Sequence, residues 1–178
     1  FPLATDNIMA LLPPSRILAT ARQEGKALTT LCAICFNVIK RTNRLIQDDV
    51  EKRDKINNFI EMNYQGDLRI VHYLEILKQD IGFSQLKEKI KKPVVGLRAA
   101  AYYGCMLLRP FEEMEFDDKE RPTVFEDFLV ALGAEAIEFP YKIECCGSFQ
   151  SVGSPDVATE CAYKILISAI KHGAEAIV

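Results

Sequence analysis

The vicinal pair Cys145-Cys146, followed by Gly147, constrains this chain more than any other stretch. Two neighbouring thiols cannot easily adopt the geometry of a relaxed disulfide, so the pair is a poor staple. It lies between a short apolar run, residues 134–140, and a turn rich in Gly and Ser. Thirty-nine residues separate it from Cys105, the end of the segment Tyr103-Gly104-Cys105. A C-x-x-C is formed by Cys32 and Cys35, and only Cys161 stands outside a motif. Thiolates are soft ligands that favour zinc, copper(I) or iron–sulfur clusters. No other constellation in the sequence has comparable specificity, so the function is sought at these sulfurs.

The 178 residues leave room for one domain or two small ones. With 49% hydrophobic and 26% charged residues, the chain has the balance of a soluble globular protein with a buried core. A net charge of −3 provides no basic footprint, which argues against a nucleic-acid partner. No apolar run approaches the roughly 18 residues of a membrane span. There is no secretory signal, and a start at Phe1 reads as a processed or excised segment. Six cysteines would also allow three disulfides in a secreted protein. A chain of this length, rich in Leu, Ile and Val, does not need such staples, and a reducing, cytoplasmic setting is expected.

Pro13-Pro14-Ser15 predicts a helix start, with Gly25 closing the helix. Residues 27–31 read as a short strand delivering Cys32 to a strand-to-helix junction. A C-x-x-C there can be a thioredoxin-like redox pair, its first thiolate stabilised by the helix N-terminus, or half of a metal site. Helical patterning continues over 35–63, and its mixed charge run 48–55 is a solvated face. Tyr64-Gln65-Gly66-Asp67 is a turn and the expected boundary between halves, 1–65 and 66–178. Ile70-Val71-His72-Tyr73-Leu74 leads into a helix that closes at Ile81-Gly82, with His72 as a core or capping residue.

Further strands are expected over 94–100, 134–139 and 174–178, and further helices over 124–132 and 155–171. Asp156 and Glu160 suit the positive end of the last helix, and His172 suits its negative end. Cys161 has core spacing with Val157 and Ile165 and reads as a small buried hydrophobe. Alternating strands and helices predict an α/β fold with a mainly parallel sheet flanked by helices. The cysteines then fall at carboxyl ends of strands, where open α/β sheets carry their sites.

The segments Tyr102-Tyr103-Gly104-Cys105-Met106-Leu107-Leu108-Arg109-Pro110 and Glu144-Cys145-Cys146-Gly147-Ser148 resemble the cysteine-rich CCG motif of the B-type subunit of CoB–CoM heterodisulfide reductase and its relatives. That motif runs Cys, thirty-odd residues, Cys-Cys-Gly, about thirty-five residues, then C-x-x-C, and occurs twice in tandem. Thr30-Leu31-Cys32-Ala33-Ile34-Cys35-Phe36-Asn37 looks like the closing C-x-x-C of a first copy. The resemblance places the first copy's Cys-Cys-Gly before Phe1 and the second copy's C-x-x-C beyond Val178. The chain would then be a window onto two cysteine-rich domains, 1–65 and 66–178, the second without its closing C-x-x-C.

This resemblance implies two [4Fe–4S] clusters in the full-length protein, with Cys32 and Cys35 serving one and Cys105, Cys145 and Cys146 the other. The catalytic chemistry is expected at the clusters, with a fragment inactive and holding zinc or no metal. Implied partners are a ferredoxin-like iron–sulfur subunit, a flavin-containing subunit and a disulfide substrate. Two other readings remain open: an electron-transfer subunit of a glycolate, lactate or glycerol-3-phosphate dehydrogenase or of a quinone reductase, and a structural zinc module. A cluster requires its sulfurs within a few ångströms of iron, so Cys105 is expected beside Cys145 and Cys146.

Overall fold

The computed structural model describes residues 8–178 and is α/β, with every strand pair parallel. Two compact units make up the chain, one of residues 1–73 with 109–115, the other of 74–108 with 116–178. The first unit runs on through strand Ile70–His72, which pairs with Leu28–Thr30.

In the first unit, helix α1 spans Ile8–Gln23, strand β1 Leu28–Thr30, helix α2 Ala33–Asp48, helix α3 Val50–Ile60 and strand β2 Ile70–His72. The helix start expected at Pro13 is corrected: α1 begins at Ile8 and carries both prolines inside it. Neither proline has an N–H to give, and the hydroxyl of Ser15, fully buried, bonds the Leu11 carbonyl at 2.7 Å. The long helical pattern after Cys35 breaks at Asp49, which has extended backbone. Its carboxylate accepts the Lys52 N–H at 2.9 Å and so caps α3. Leu18, Phe36, Ile46 and Ile56 are wholly buried where α1, α2 and α3 pack together.

The pairing of β1 with β2 sets Thr30 opposite His72. Of the segment 70–74 expected to lead into a helix, residues 70–72 complete a sheet first and the helical turn begins at Tyr73. The helical turn Tyr73–Glu75 leads into the second unit and continues as a π-helix over Ile76–Ile81. A short helix over Phe83–Lys89 comes next.

Strand β3, Arg98–Ala100, is central in the second unit, with β4 (Glu135–Ala136) on one side and β5 (Ala176–Ile177) on the other. These strands are shorter than expected. Residues 94–97 form a turn closed by the Leu97 N–H on the Val94 carbonyl, and Val95 is 78% exposed. A strand needs burial on at least one face, which Val95 lacks. Helices Val124–Ala131 and Pro155–Lys171 stand where the patterning puts them. Ala99, Ala100 and Ala101 are fully buried, and Ala100 packs with Ile137, Phe139, Ile165 and Ala169 as one core. Side chains this small let the last helix close onto the sheet. No helix among the described residues is long and apolar enough to cross a membrane.

His72 is 4% exposed, with the Phe36 ring edge-on at 5.5 Å and the Tyr73 ring at 4.7 Å. Burial pushes its imidazole down to about 4. In the unfolded chain it takes up a proton near 6.5, so the unfolded state binds more protons between the two values. Its stabilising contribution is complete above pH 6.5 and is lost as pH falls to 4, roughly 3 kcal/mol over that window. Urea unfolding across pH 4–7 should show this loss, and His72→Gln should flatten it.

Candidate functional site

Parallel neighbours emit their succeeding loops from the same end of a sheet. The chain leaving β3 therefore runs through Tyr102 to Cys105 on the side where the chain leaving β4 runs through Lys142 to Cys145. Backbone bonds join the two loops, because the N–H groups of Tyr103 and Gly104 both donate to the Lys142 carbonyl, at 2.9 and 3.1 Å.

A buried ionic cluster anchors this junction from below. The Lys142 ammonium donates to Glu126 Oε1 at 2.6 Å, to Glu138 Oε1 at 2.9 Å and to the Pro122 carbonyl at 2.9 Å. All three of its N–H groups are thus matched. Glu126 accepts the Tyr103 hydroxyl on its other oxygen, and that hydroxyl accepts the Phe125 N–H at 2.8 Å. Burial opposes the charge on Lys142, but the two carboxylates outweigh it and hold the amine above its usual range. The Tyr103 phenol is pushed up by burial first and by Glu126 second.

The sulfurs stand on top of this base. Cys105 lies within hydrogen-bonding reach of Cys145, and its thiol is pushed up to about 11 by burial, by that contact and by the charges of Cys145 and Cys146. Burial also works against ionising Cys146, yet the N–H and hydroxyl of Ser148 and the hydroxyl of Tyr102 bring it below the ordinary range. The Gly147 N–H points at Cys145 Sγ, 3.4 Å away. Gly147 is left-handed (φ 72°), and a Cβ there would stand 3.1 Å from Ala158 Cα and 3.2 Å from Cys161 Cβ. Only glycine satisfies both demands at low cost.

That contact corrects the reading of Cys161 as a buried core residue. It is partly exposed, and its sulfur lies against the Cys-Cys-Gly turn. Helical spacing alone could not reveal this, since it reports the face of the last helix and not what covers that face. The ionic base under the site was equally hidden, since nothing in the spacing of Glu126, Glu138 and Lys142 marks them as partners.

Cys32 and Cys35 belong to the first unit. Cys32 directly succeeds the chain from β1 and is the N-cap of α2. Its sulfur accepts the Cys35 N–H at 3.4 Å, and this bond with the Cys35 thiol draws its ionisation down. Cys35 moves up in response to its partner. Both are exposed.

The donor chemistry fits a soft metal. The neighbours that shift Cys105 and Cys146 are other sulfurs, Ser148, Tyr102 and backbone N–H groups, with no carboxylate or imidazole among them. As placed, no three His, Cys, Asp or Glu side chains among the described residues are gathered tightly enough to hold a metal ion. The site is a close sulfur pair, Cys105 and Cys145, with Cys146 next along the loop.

Residues 99–178, which contain these sulfurs, match the CCG family, a cysteine-rich domain. Beyond that domain, the chain is similar over most of its length to the B-type subunit of heterodisulfide reductase. It is 28% identical to that subunit of the ferredoxin:CoB-CoM heterodisulfide reductase of Methanosarcina mazei, over 97% of this chain and 59% of that protein. A protein of Archaeoglobus profundus, named as like the same heterodisulfide reductase subunit, is 33% identical over 75% of this chain and 46% of its own length. Similarity extends to the 8-methylmenaquinol:fumarate reductase membrane anchor subunit of Wolinella succinogenes, 32% identical over 97% of this chain and 61% of that protein. The chain thus spans about half to three-fifths of the length of these relatives.

Truncating Glu126 to Ala removes the group that joins Lys142 to Tyr103. Breaking a buried ion pair on one side costs about 3 kcal/mol, and chemical denaturation of Glu126→Ala should show a loss of that size. Gly147→Ala should cost about 1 kcal/mol from its left-handed backbone alone, and more where Ala158 and Cys161 cannot give way.

Proposed function

We propose that this chain is part of an iron–sulfur subunit of a heterodisulfide reductase-like complex, which accepts electrons and reductively cleaves a disulfide. The observation that carries the reading is the Cys105–Cys145 contact at the end of two parallel strands, with Cys146 beside it. In this reading Cys105, Cys145 and Cys146 hold one [4Fe–4S] cluster, and Cys32 and Cys35 belong to a second, with ligands from outside the chain completing each set. Such clusters supply single electrons at potentials set by ligand charge, hydrogen bonding and burial. Cleaving a disulfide takes two electrons and two protons and yields two thiols, so two one-electron centres suit it.

The protein's own residues hold and shield the sulfurs. Lys142 and Tyr103 fix the Cys105 loop on the Cys145 loop through backbone bonds. Ser148 provides donors to Cys146, and the core around Ile137, Phe139 and Ile165 closes one side of it to water. The partners in this reading are a ferredoxin-like iron–sulfur subunit and a flavin-containing subunit, in the cytoplasm.

A second reading is favoured by the similarity to the fumarate reductase anchor subunit over 97% of the chain. There the same sulfur site passes electrons between a quinol and a partner subunit, without cleaving a disulfide. The two readings share the clusters and differ in the terminal reaction.

The full-length protein, purified without oxygen, should contain iron and sulfide for two clusters, and Cys105→Ala should remove about half of each. Reduced viologen should then be oxidised by an asymmetric thiol disulfide and not by a menaquinone analogue; the reverse preference would establish the quinone reading. A colourless, iron-free protein would refute both and leave structural zinc.

A further inference from the structure

Consecutive residues of an extended segment point to opposite sides, and the two tyrosines after β3 illustrate this. Tyr103 turns down to Glu126 and Phe125, where its hydroxyl is fully used. Tyr102 turns to the sulfurs. Its ring packs on the core of Ala100, Ile137, Phe139, Ile165 and Ala169, the same cluster that receives Cys146. It is folded back over Gly104, where a Cβ would stand 3.2 Å from the phenol oxygen and 3.3 Å from ring carbons. Gly104 is left-handed as well (φ 63°). Any other residue there would push the ring aside.

The Tyr102 hydroxyl donates to the Glu144 carbonyl at 2.7 Å, the peptide just before the cysteine pair. It also lies within hydrogen-bonding reach of Cys146, and the charges of Cys105 and Cys145 act on it. A phenol has one hydrogen to give, and an anionic acceptor holds it more strongly than a neutral carbonyl.

We propose that Tyr102 is a positioning residue of the sulfur site: seated over Gly104 beside Glu144 and Cys146, it gives its O–H to the Cys146 sulfur when that sulfur is a ligand, and so raises the reduction potential of the centre. The proposal rests on the iron–sulfur reading above. Reduction adds one electron to the centre, and that charge spreads onto the ligand sulfurs. A donor to one sulfur stabilises the reduced form more than the oxidised one, as hydrogen bonds to cluster sulfurs do in general.

The test is a mediated redox titration of the anaerobic full-length protein, with dithionite as reductant, on wild type and Tyr102→Phe. Phenylalanine keeps the ring over Gly104 and removes only the donor. One of the two cluster signals should move to a more negative midpoint, by roughly a tenfold change in the reduced-to-oxidised ratio, about 59 mV for a one-electron couple. Of the exchangeable-proton hyperfine couplings lost on transfer to D2O, one should be present in wild type and absent in Tyr102→Phe, while those from the Ser148 and Gly147 donors persist. Unchanged midpoints with equal iron content would overturn the proposal alone, as would a wild-type cluster with no such coupling. If Tyr102→Phe loses iron, 3-fluorotyrosine at position 102, which keeps the ring and is a stronger donor, should move the same midpoint to a more positive value, and an unmoved midpoint would overturn the proposal. An iron-free wild-type protein would instead overturn the iron–sulfur reading beneath it.

Discussion

The parallel pairing of β3 with β4 is the constraint on which the site depends. Arg98 stands opposite Glu135 and Ala99 opposite Ala136, and both strands then end. The segments beyond them must leave from one end of the sheet, so two loops about forty residues apart in sequence meet. The Lys142 carbonyl fastens them by taking two N–H groups of the other loop. Its ammonium meanwhile neutralises the buried Glu126 and reaches the exposed Glu138. One residue thus serves the junction with its backbone and the base with its side chain. An uncompensated charge at that depth would be costly, which explains why the carboxylates come as partners.

Much of the fold can be read from sequence because it rests on local signals. The Pro155 start and Gly173 stop bracket the last helix, and the apolar runs before Cys105 and Cys145 locate β3 and β4. The failures have physical causes. Val94 and Val95 have strand propensity but no surface to bury against, so the chain turns there. Pro13 and Pro14 look like a helix start, yet α1 tolerates them within its length. At the site, cysteine spacing marks Cys105, Cys145 and Cys146 as a set, and family resemblance gives the set a purpose. Cys161 beside Gly147, Tyr102 over Gly104 and the Lys142–Glu126–Tyr103 base carry no periodic signature. They are products of tertiary contact.

The relatives carry two different reaction names, heterodisulfide reductase and methylmenaquinol:fumarate reductase. The sulfur site explains the common part in physical terms. It offers soft donors, a hydrogen-bonded Cys146 and an apolar floor, which together suit the holding and passing of single electrons. Fold alone does not specify the terminal reaction.

The central claim, that Cys105 and the Cys145-Cys146 pair form one sulfur site, is tested most directly with dibromobimane on the reduced, metal-free protein. The reagent bridges only neighbouring thiols and fluoresces once both arms have reacted. Peptide mapping should find a bridged Cys105–Cys145 product alongside a Cys32–Cys35 product, and Cys105→Ser should abolish the first while leaving the second. A Cys32–Cys35 bridge together with Cys105 recovered only as a singly modified thiol would contradict the account.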